Sequence, residues 1–295
     1  LKQIQVKAVV VNSTDNFEII EIKEFDSDII YHNEMIIKTK KRLYIGGSSD
    51  YKVSQDVEVL FSPFKNYPVM CKIDQGSIQL KSLISTTTVQ EINLVCTDKM
   101  IINNALFIKN RGHLTEIQFT DTNQIIPYVQ QVWNIEEKSS KLFSNIVVQS
   151  VLGRAYVCIP LPQYKQSSFI IKGIPQLDKQ QIVDAKHDNH VAMFITHESG
   201  IYNRYVVVFD DAYNKYVVRT FEDVDYIPLN FVTLQSGVCI SIREDDVVEI
   251  FHYVHPTKVK EIKDPKVDST MRLCKCGMEV RFFKGNKLFS FKVKK

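Results

Sequence analysis

The densest group of imidazole and carboxylate side chains lies at residues 187–190 (HDNH), with Asp184 and His197 nearby. Such groups bind transition metals and transfer protons near neutral pH. However, the group spans the end of one strand-like run and the start of the next, and neighbouring residues on a strand point to opposite sides. Asp188 and Asn189 are also favoured turn formers. The sequence therefore predicts a hairpin turn here rather than a metal site.

Thiol groups are the second kind of reactive side chain, and most lie inside apolar, strand-like runs. The six cysteines are Cys71, Cys96, Cys158, Cys239, Cys274 and Cys276. Cys274 and Cys276 are two positions apart, so both would face the same side of a strand. A structural zinc site needs further ligands, and this spacing lacks a second ligand pair. We therefore predict buried free thiols in a reducing compartment rather than a metal site or disulfides.

Paired carboxylates, which could perform general acid–base catalysis, fall in polar segments at Asp210-Asp211 and at residues 244–246 (EDD). Solvated turn positions explain these charges without catalysis. Serine nucleophile elbows, P-loops and glycine-rich dinucleotide motifs are absent from the sequence. We therefore predict no catalytic residue, no metal and no cofactor, in a protein that is not an enzyme.

Short runs rich in Val, Ile, Tyr, Phe and Thr recur along the whole chain and must position these groups. Examples are AVVV, FEIIEI, VAMFIT, RYVVVF and VCISI, separated by polar or turn segments such as HDN and KGN. Their apolar residues alternate with a period of two, and no long stretch keeps the spacing of an amphipathic helix. The predicted fold class is all-β.

Repeats of about 40–45 residues, with four strands each, predict the architecture. Clear units lie at residues 91–137, 141–178, 180–222 and 226–263. The region 28–90 is less regular, and the C-terminal region supplies only three strands. This period is typical of propeller blades. We predict a closed β-propeller of six four-stranded blades, or seven if residues 28–90 contain two, forming a single domain over residues 1–295.

The two chain ends predict how the ring closes. From Val11 to Asp26 is 15 positions, and the same interval separates Val208 from Asp223 in an internal repeat. The N-terminal strands therefore resemble the later strands of a blade whose opening strands are missing, whereas the C-terminus opens a blade that it does not finish. Pairing of N- and C-terminal strands would remove the free sheet edges.

Two short segments resemble propeller families. Gly112-His113 and Trp133-Asn134 resemble the Gly-His and Trp-Asp pairs that frame WD-repeat blades, although 20 positions between His113 and Trp133 is short for such a frame. We expect Trp133 to pack between neighbouring blades and Asn134 to open a turn. Residues 42–67, with Gly46-Gly47 after an aromatic strand, resemble a kelch blade. Both resemblances imply a propeller that binds other proteins.

Aspartates recur in the connections between the last strand of one blade and the first strand of the next. They are Asp26, Asp28, Asp223, Asp225, Asp264 and Asp268. In a propeller these connections lie on one face. We therefore predict an acidic face that binds a basic segment of another protein, with electrostatics governing the association rate.

Composition limits the remaining possibilities. Lys and Arg number 37 against 34 Asp and Glu, a net charge of +3 that is too small to require a polyanionic partner. No apolar run approaches the roughly 18 residues of a membrane span. The predicted function is a non-catalytic platform for protein–protein interaction or assembly in a reducing intracellular compartment or a virion. A glycan-acting propeller enzyme and a nucleic-acid-binding propeller are the alternatives.

Overall fold

A computed structural model describes residues 17–32, 36–45, 49–52, 57–61, 68–74, 76–82, 90–102, 105–121, 125–135, 139–161, 168–210, 212–223, 229–234, 237–243, 245–252, 255–276 and 279–293. The described residues form 28 β-strands, grouped in seven antiparallel four-stranded sheets, and one 3₁₀ turn at Pro175–Leu177. Among these residues, no helix has the length and apolar character needed to cross a bilayer.

The first three blades come from the N-terminal half of the chain, numbered from the blade that begins at Ile29. Blade 1 contains β2 (Ile29–His32), β3 (Ile36–Thr39), β4 (Arg42–Ile45) and β5 (Ser49–Lys52). Blade 2 contains β6 (Val57–Phe61), β7 (Pro68–Ile73), β8 (Ile78–Ser82) and β9 (Gln90–Ile92). Blade 3 contains β10 (Asp98–Ile102), β11 (Ala105–Asn110), β12 (His113–Asp121) and β13 (Ile125–Asn134).

The next three blades match the predicted repeats. Blade 4 contains β14 (Ser140–Leu142), β15 (Val147–Val151), β16 (Arg154–Leu161) and β17 (Ser168–Gly173). Blade 5 contains β18 (Ile182–Asp188), β19 (Val191–Glu198), β20 (Ile201–Phe209) and β21 (Tyr216–Asp223). Blade 6 contains β22 (Phe231–Thr233), β23 (Val238–Ile242), β24 (Val247–His252) and β25 (His255–Lys263).

Blade 7 joins both ends of the chain. Its first three strands are β26 (Arg272–Cys276), β27 (Glu279–Lys284) and β28 (Lys287–Val293), and its fourth is β1 (Phe17–Glu24). β1 pairs antiparallel with β28, with Ile19 opposite Phe291. The predicted closure by N- and C-terminal strands is therefore confirmed, although residues 7–11, which suggested it, lie outside the described residues. The seventh blade comes from the less regular region: blade 1 lies within residues 28–90, and blade 2 runs from Val57 to Ile92.

The hydrophobic core lies between adjacent sheets. One cluster joins Val157 of blade 4 to Phe194 of blade 5, and another joins Ile240 of blade 6 to Phe282 of blade 7. First strands of neighbouring blades also lie side by side, as in the contact between β22 and β26. Inner strands such as β11, β19 and β23 are therefore buried on both faces, which explains why runs such as VAMFIT are apolar throughout instead of alternating.

The WD-like segment has a different position from the one that the resemblance implies. Gly112 closes the tight turn between the second and third strands of blade 3, and His113 begins the third strand. His113 Nδ1 lies 2.9 Å from Asn134 Oδ1, across the two outer strands. Trp133 packs against a cluster formed by blades 3 and 4, including Leu142 and Cys158, as predicted. Asn134, however, is the last residue of β13 rather than part of a turn.

The kelch-like segment runs from the last strands of blade 1 into the first strand of blade 2, because it covers β4, β5 and β6. It is therefore not one blade. Gly46-Gly47 lies outside the described residues. Both resemblances reflect short features that propellers share, such as a strand followed by a tight turn.

Candidate functional site

Strand topology places the connections between blades on one face of the ring. Each blade has four antiparallel strands in chain order, so the fourth strand ends on the side where the first begins. The turns between second and third strands lie on that side too. We call this side the connection face. Its described residues include connections 25–28, 93–97, 174–181 and 264–271 and turns 40–41, 111–112, 152–153, 199–200 and 285–286.

Most of the predicted acidic residues lie on the connection face. Asp26 and Asp28 are in connection 25–28, and Asp264 and Asp268 are in connection 264–271. Asp223 is the last residue of β21, where the backbone reaches the same face. Asp225 lies outside the described residues.

Three of these aspartates form ion pairs with cations of the blade that follows. Asp28 Oδ2 is 2.6 Å from Lys40 Nζ, and Asp26 Oδ2 is 3.2 Å from Arg42 Nε. Asp268 is paired with Lys284 in the same arrangement, a connection carboxylate against a cation beside the turn between second and third strands. The carboxylates of this face are therefore partly neutralised, and exposed pairs of this kind contribute only about 0–1 kcal/mol to stability.

A cavity of about 300 Å³ opens on the connection face between blades 4 and 5. This volume is at the lower end of the range for ligand pockets. The lining residues are Ser139, Ser140, Lys141, Phe143, Val148, Ser150, Ala155, Leu177, Lys179, Gln180 and Ile182. None of these lining residues is acidic, so the cavity has apolar walls and two lysines.

Two polar groups of this cavity are positioned by the strands around it. The Oγ of Ser140 is buried and has no hydrogen-bond partner among the described residues. Lys141 holds its Nζ 5.0 Å from the centroid of the Phe143 ring, a cation–π contact at the cavity wall. The cavity therefore offers an ammonium group to a polar ligand.

The turn between β15 and β16 joins two strands that line the cavity through Ser150 and Ala155. Leu152 and Gly153 both have positive φ, 50° and 78°, as a two-residue type I′ hairpin turn requires. Glycine or asparagine usually fills the place that Leu152 occupies. The Leu152 side chain is 99% exposed. The carbonyl of Gly153 accepts a hydrogen bond from the backbone N–H of Lys179, which ties this turn to the next connection.

A hairpin is present at residues 187–190 as predicted, but its turn is one position later than expected: Asn189 and His190 form the turn, and Asp188 is the last residue of β18. Asp188 Oδ2 accepts a hydrogen bond from the backbone N–H of Thr233 in blade 6, at 2.5 Å. Burial lowers the pKa of His187 to about 4, which keeps this imidazole neutral. These groups join neighbouring blades rather than converge on one ligand.

Cys274 and Cys276 lie together with His32, a residue that the sequence analysis did not connect with them. Their ligand atoms are all within 4.8 Å of one another. The hydrogen bond from Cys274 lowers the pKa of the Cys276 thiol to about 5, with a smaller contribution from His32, although burial raises it. The predicted ring closure could have indicated this proximity, because β2 of the first blade and β26 of the last blade are neighbours in a closed ring.

Comparison with solved structures identifies similar β-propellers. The Nup133 β-propeller domain of Vanderwaltozyma polyspora aligns with a TM-score of 0.55 at 10% identity, covering 97% of this chain and 99% of that one. Hsv2 of Kluyveromyces lactis aligns with a TM-score of 0.52 at 10% identity, covering 87% and 90%. The chain is a seven-bladed β-propeller. No protein-family model matches the sequence, and no curated protein matches it. At these identities the likeness concerns the fold alone.

Proposed function

We propose that this propeller is a non-catalytic protein-interaction platform and that a partner binds at the cavity between blades 4 and 5. The observation that carries the proposal is Leu152, a fully exposed leucine in a left-handed backbone conformation. It lies in the turn that joins β15 and β16, two strands that line the cavity through Ser150 and Ala155. Loops on a rigid scaffold are where binding residues are commonly found.

The conformation and exposure of Leu152 do not stabilise the isolated chain. A non-glycine residue in the left-handed region costs about 1–2 kcal/mol, and a side chain that is 99% exposed recovers none of this through burial. Strained and exposed residues of this kind are common at binding sites. A partner that covers Leu152 would supply the missing burial, about 1.5–3 kcal/mol for a leucine.

The cavity predicts the chemistry of the partner segment. Phe143 and Leu177 offer apolar wall to an apolar side chain. Lys141 and Lys179 offer positive charge. We infer a segment that carries an apolar side chain next to a carboxylate, which is the opposite charge to the basic segment predicted for the aspartates.

The aspartates of the connection face are a second candidate surface, for a basic segment. Asp26, Asp28 and Asp268 already have cationic partners within the chain. A basic partner would have to compete with these pairs, whereas the lysines at the cavity line an open surface. This difference favours the cavity as the main binding site.

The other functional classes find less support at this cavity. Glycan hydrolysis uses two carboxyl groups on either side of the scissile bond, and the lining contains none. Nucleic-acid binding calls for a basic patch that follows a phosphate backbone, whereas Lys141 and Lys179 flank a compact, partly apolar cavity.

The proposal is tested by partner capture with a matched pair of variants. We expect Leu152→Asp to abolish capture of the chains that co-purify with the parent protein from its native source. The control is Val217→Asp, which places the same charge at a 54% exposed apolar side chain on β21. It should retain every partner. Binding of a purified partner should show the same ranking, with Leu152→Asp weaker by at least about tenfold, or 1.4 kcal/mol.

A second variant separates binding from folding. Leu152→Gly removes the exposed side chain and suits the positive φ, so its melting temperature should equal or exceed that of the parent. It should nevertheless lose partner affinity. Unchanged affinity in both Leu152 variants would contradict the proposal.

A further inference from the structure

A group of two thiols and one imidazole lies where the first and last blades meet. His32 ends β2, the first strand of blade 1, and Cys276 ends β26, the first strand of blade 7. Cys274 lies two positions before Cys276 on the same side of β26. The Nε2, Sγ and Sγ atoms of these residues are all within 4.8 Å of one another. His32 and Cys274 are buried, and Cys276 is half-buried.

The imidazole of His32 is oriented as in a metal ligand. Its Nδ1 lies 3.1 Å from the carbonyl oxygen of Ile36, so the Nδ1–H donates to that carbonyl. The lone pair of Nε2 then points at the thiols, and Nε2 is 3.5 Å from the Sγ of Cys276. Metal-bound histidines in proteins characteristically use one ring nitrogen as ligand and donate the other N–H to a carbonyl or carboxylate.

The separations between these atoms suit a tetrahedral zinc ion. Bond lengths of about 2.3 Å to sulfur and 2.0–2.1 Å to nitrogen place neighbouring ligand atoms about 3.4–3.8 Å apart. The distance from His32 Nε2 to Cys276 Sγ is already 3.5 Å. Small rotamer changes would bring in the Cys274 sulfur, whose Sγ now donates to the carbonyl of Arg281 at 3.4 Å.

A disulfide between the two cysteines fits this strand less well. Residues two apart on a strand have Cα atoms about 6.6 Å apart, at the upper limit for a disulfide. Neither Cys274 nor Cys276 forms a disulfide among the described residues. Two thiols and an imidazole that converge in this way are better placed to share one cation.

We propose that His32, Cys274 and Cys276 bind Zn²⁺ through two sulfurs and one nitrogen, with a fourth position left for water or an external ligand. Binding displaces the thiol protons. Because the ligands come from β2 and β26, the ion would join the N-terminal part of the chain to the C-terminal part, in addition to the pairing of β1 with β28.

Cobalt substitution of the full chain is the direct test. One equivalent of Co²⁺ added to the reduced, metal-free protein should produce a sulfur-to-cobalt charge-transfer band and the visible ligand-field bands of a tetrahedral site. Zn²⁺ should displace the cobalt and abolish these bands. A spectrum identical to that of cobalt in buffer would overturn the proposal.

Variants assign the ligands. Cys276→Ser should remove the charge-transfer band or weaken Co²⁺ binding by at least tenfold, and His32→Gln should do the same while keeping both sulfurs. The matched control is Cys96→Ser, another half-buried cysteine, on the connection before β10. It should leave the spectrum unchanged. Equal Co²⁺ affinity in the control and the two ligand variants would exclude this site.

Thiol protection gives a readout on the parent chain, which stays valid if a ligand variant fails to fold. Iodoacetamide should alkylate Cys276 slowly in the presence of Zn²⁺ and faster after the zinc is removed by a chelator. Zn²⁺ should also raise the melting temperature of the parent protein. Alkylation at the same rate with and without Zn²⁺ would show that zinc does not bind to Cys276 and would contradict the proposal.

Discussion

Two kinds of blade junction occur in this ring. Between blades 4 and 7, one asparagine or aspartate of each blade binds the backbone of the next. Asn145 accepts from the His187 N–H, Asp188 from the Thr233 N–H, and Asn230 from the Leu273 N–H. These contacts join residues 42 to 45 positions apart. Each of these contacts therefore spans about one repeat of the sequence.

The contacts that close the ring are different. We call them the seam: β1, β2 and connection 25–28 on one side, and β26–β28 on the other. Here the backbone N–H of Phe25 donates to Asn286, and His32 meets Cys276 across 244 positions of sequence. Loop closure over this length costs about 1.5 kcal/mol more than over one repeat. The seam has the pairing of β1 with β28 to offset this cost, in addition to side-chain contacts.

Among the changes to the two kinds of junction, removal of β1 should reduce stability most. Deletion of residues 1–24 would expose the edge of β28 and remove the buried Ile19 from the core between blades 6 and 7. Each fully buried apolar side chain contributes about 1.5–3 kcal/mol, so we expect a loss of several kcal/mol, aggregation, or both. Thermal unfolding and light scattering would measure this.

The matched control deletes residues 1–11 only and retains β1. Its melting temperature should be close to that of the parent if β1 alone closes the ring. It should be close to that of the longer deletion if residues 7–11 (KAVVV) also contribute. A protein lacking residues 1–24 that melts within about two degrees of the parent would contradict closure by this strand.

Alanine substitution of one asparagine at each kind of junction should then show how much stability its hydrogen bonds contribute. Asn230 is buried, donates to the Met271 carbonyl at 2.6 Å and accepts from the Leu273 N–H at 2.9 Å. Asn230→Ala leaves both backbone groups without these hydrogen-bond partners and should lower the free energy of unfolding by about 2–3 kcal/mol. Asn286→Ala at the half-buried seam should cost about 1 kcal/mol.

Chemical denaturation of these variants provides the measurement, with Asn214→Ala in an exposed turn as the control. That control should cost under about 0.5 kcal/mol. A larger loss for Asn286→Ala than for Asn230→Ala would reverse the ranking and place the more tightly held junction at the seam.

Neutralising the aspartates should have the smallest effect on stability. The combined change Asp26→Asn, Asp28→Asn and Asp268→Asn removes three exposed or half-buried ion pairs near the seam, and we expect a loss of no more than about 2 kcal/mol in total.

If a basic partner binds at these aspartates, its association with the triple variant should be slower and less dependent on salt. If the cavity between blades 4 and 5 is the binding site, stopped-flow association at low salt should be unchanged. The two surfaces are thereby distinguished.

The fold could be predicted from the sequence because propeller blades repeat. The period of residues 180–263 predicted blades 5 and 6, and the unfinished last unit predicted closure by the N-terminus. The seventh blade was ambiguous, since β3, β4 and β5 in blade 1 have only four residues each and show little alternation.

The candidate sites could be predicted only in part. The aspartates were located because they recur at equivalent positions of the repeat. The cavity depends on side chains from two blades, and the unusual feature of Leu152 is its backbone conformation, which the letters VLGR do not reveal. His32 and Cys276 meet only in the closed ring, so their proximity follows from tertiary structure and not from spacing.

The use of β1 as the last strand of the ring has a consequence for biosynthesis. This strand leaves the ribosome before the other described strands of the ring, and its partner β28 begins 263 residues after β1 ends. At about 5–20 residues per second, β1 waits roughly 13–50 s as an unpaired edge. Its sequence, FEIIEIKE, places charges between its isoleucines, and charge on an unpaired edge opposes association with other chains. We therefore expect the glutamates and lysine of β1 to oppose association of the nascent chain before the strand has any role in the finished ring.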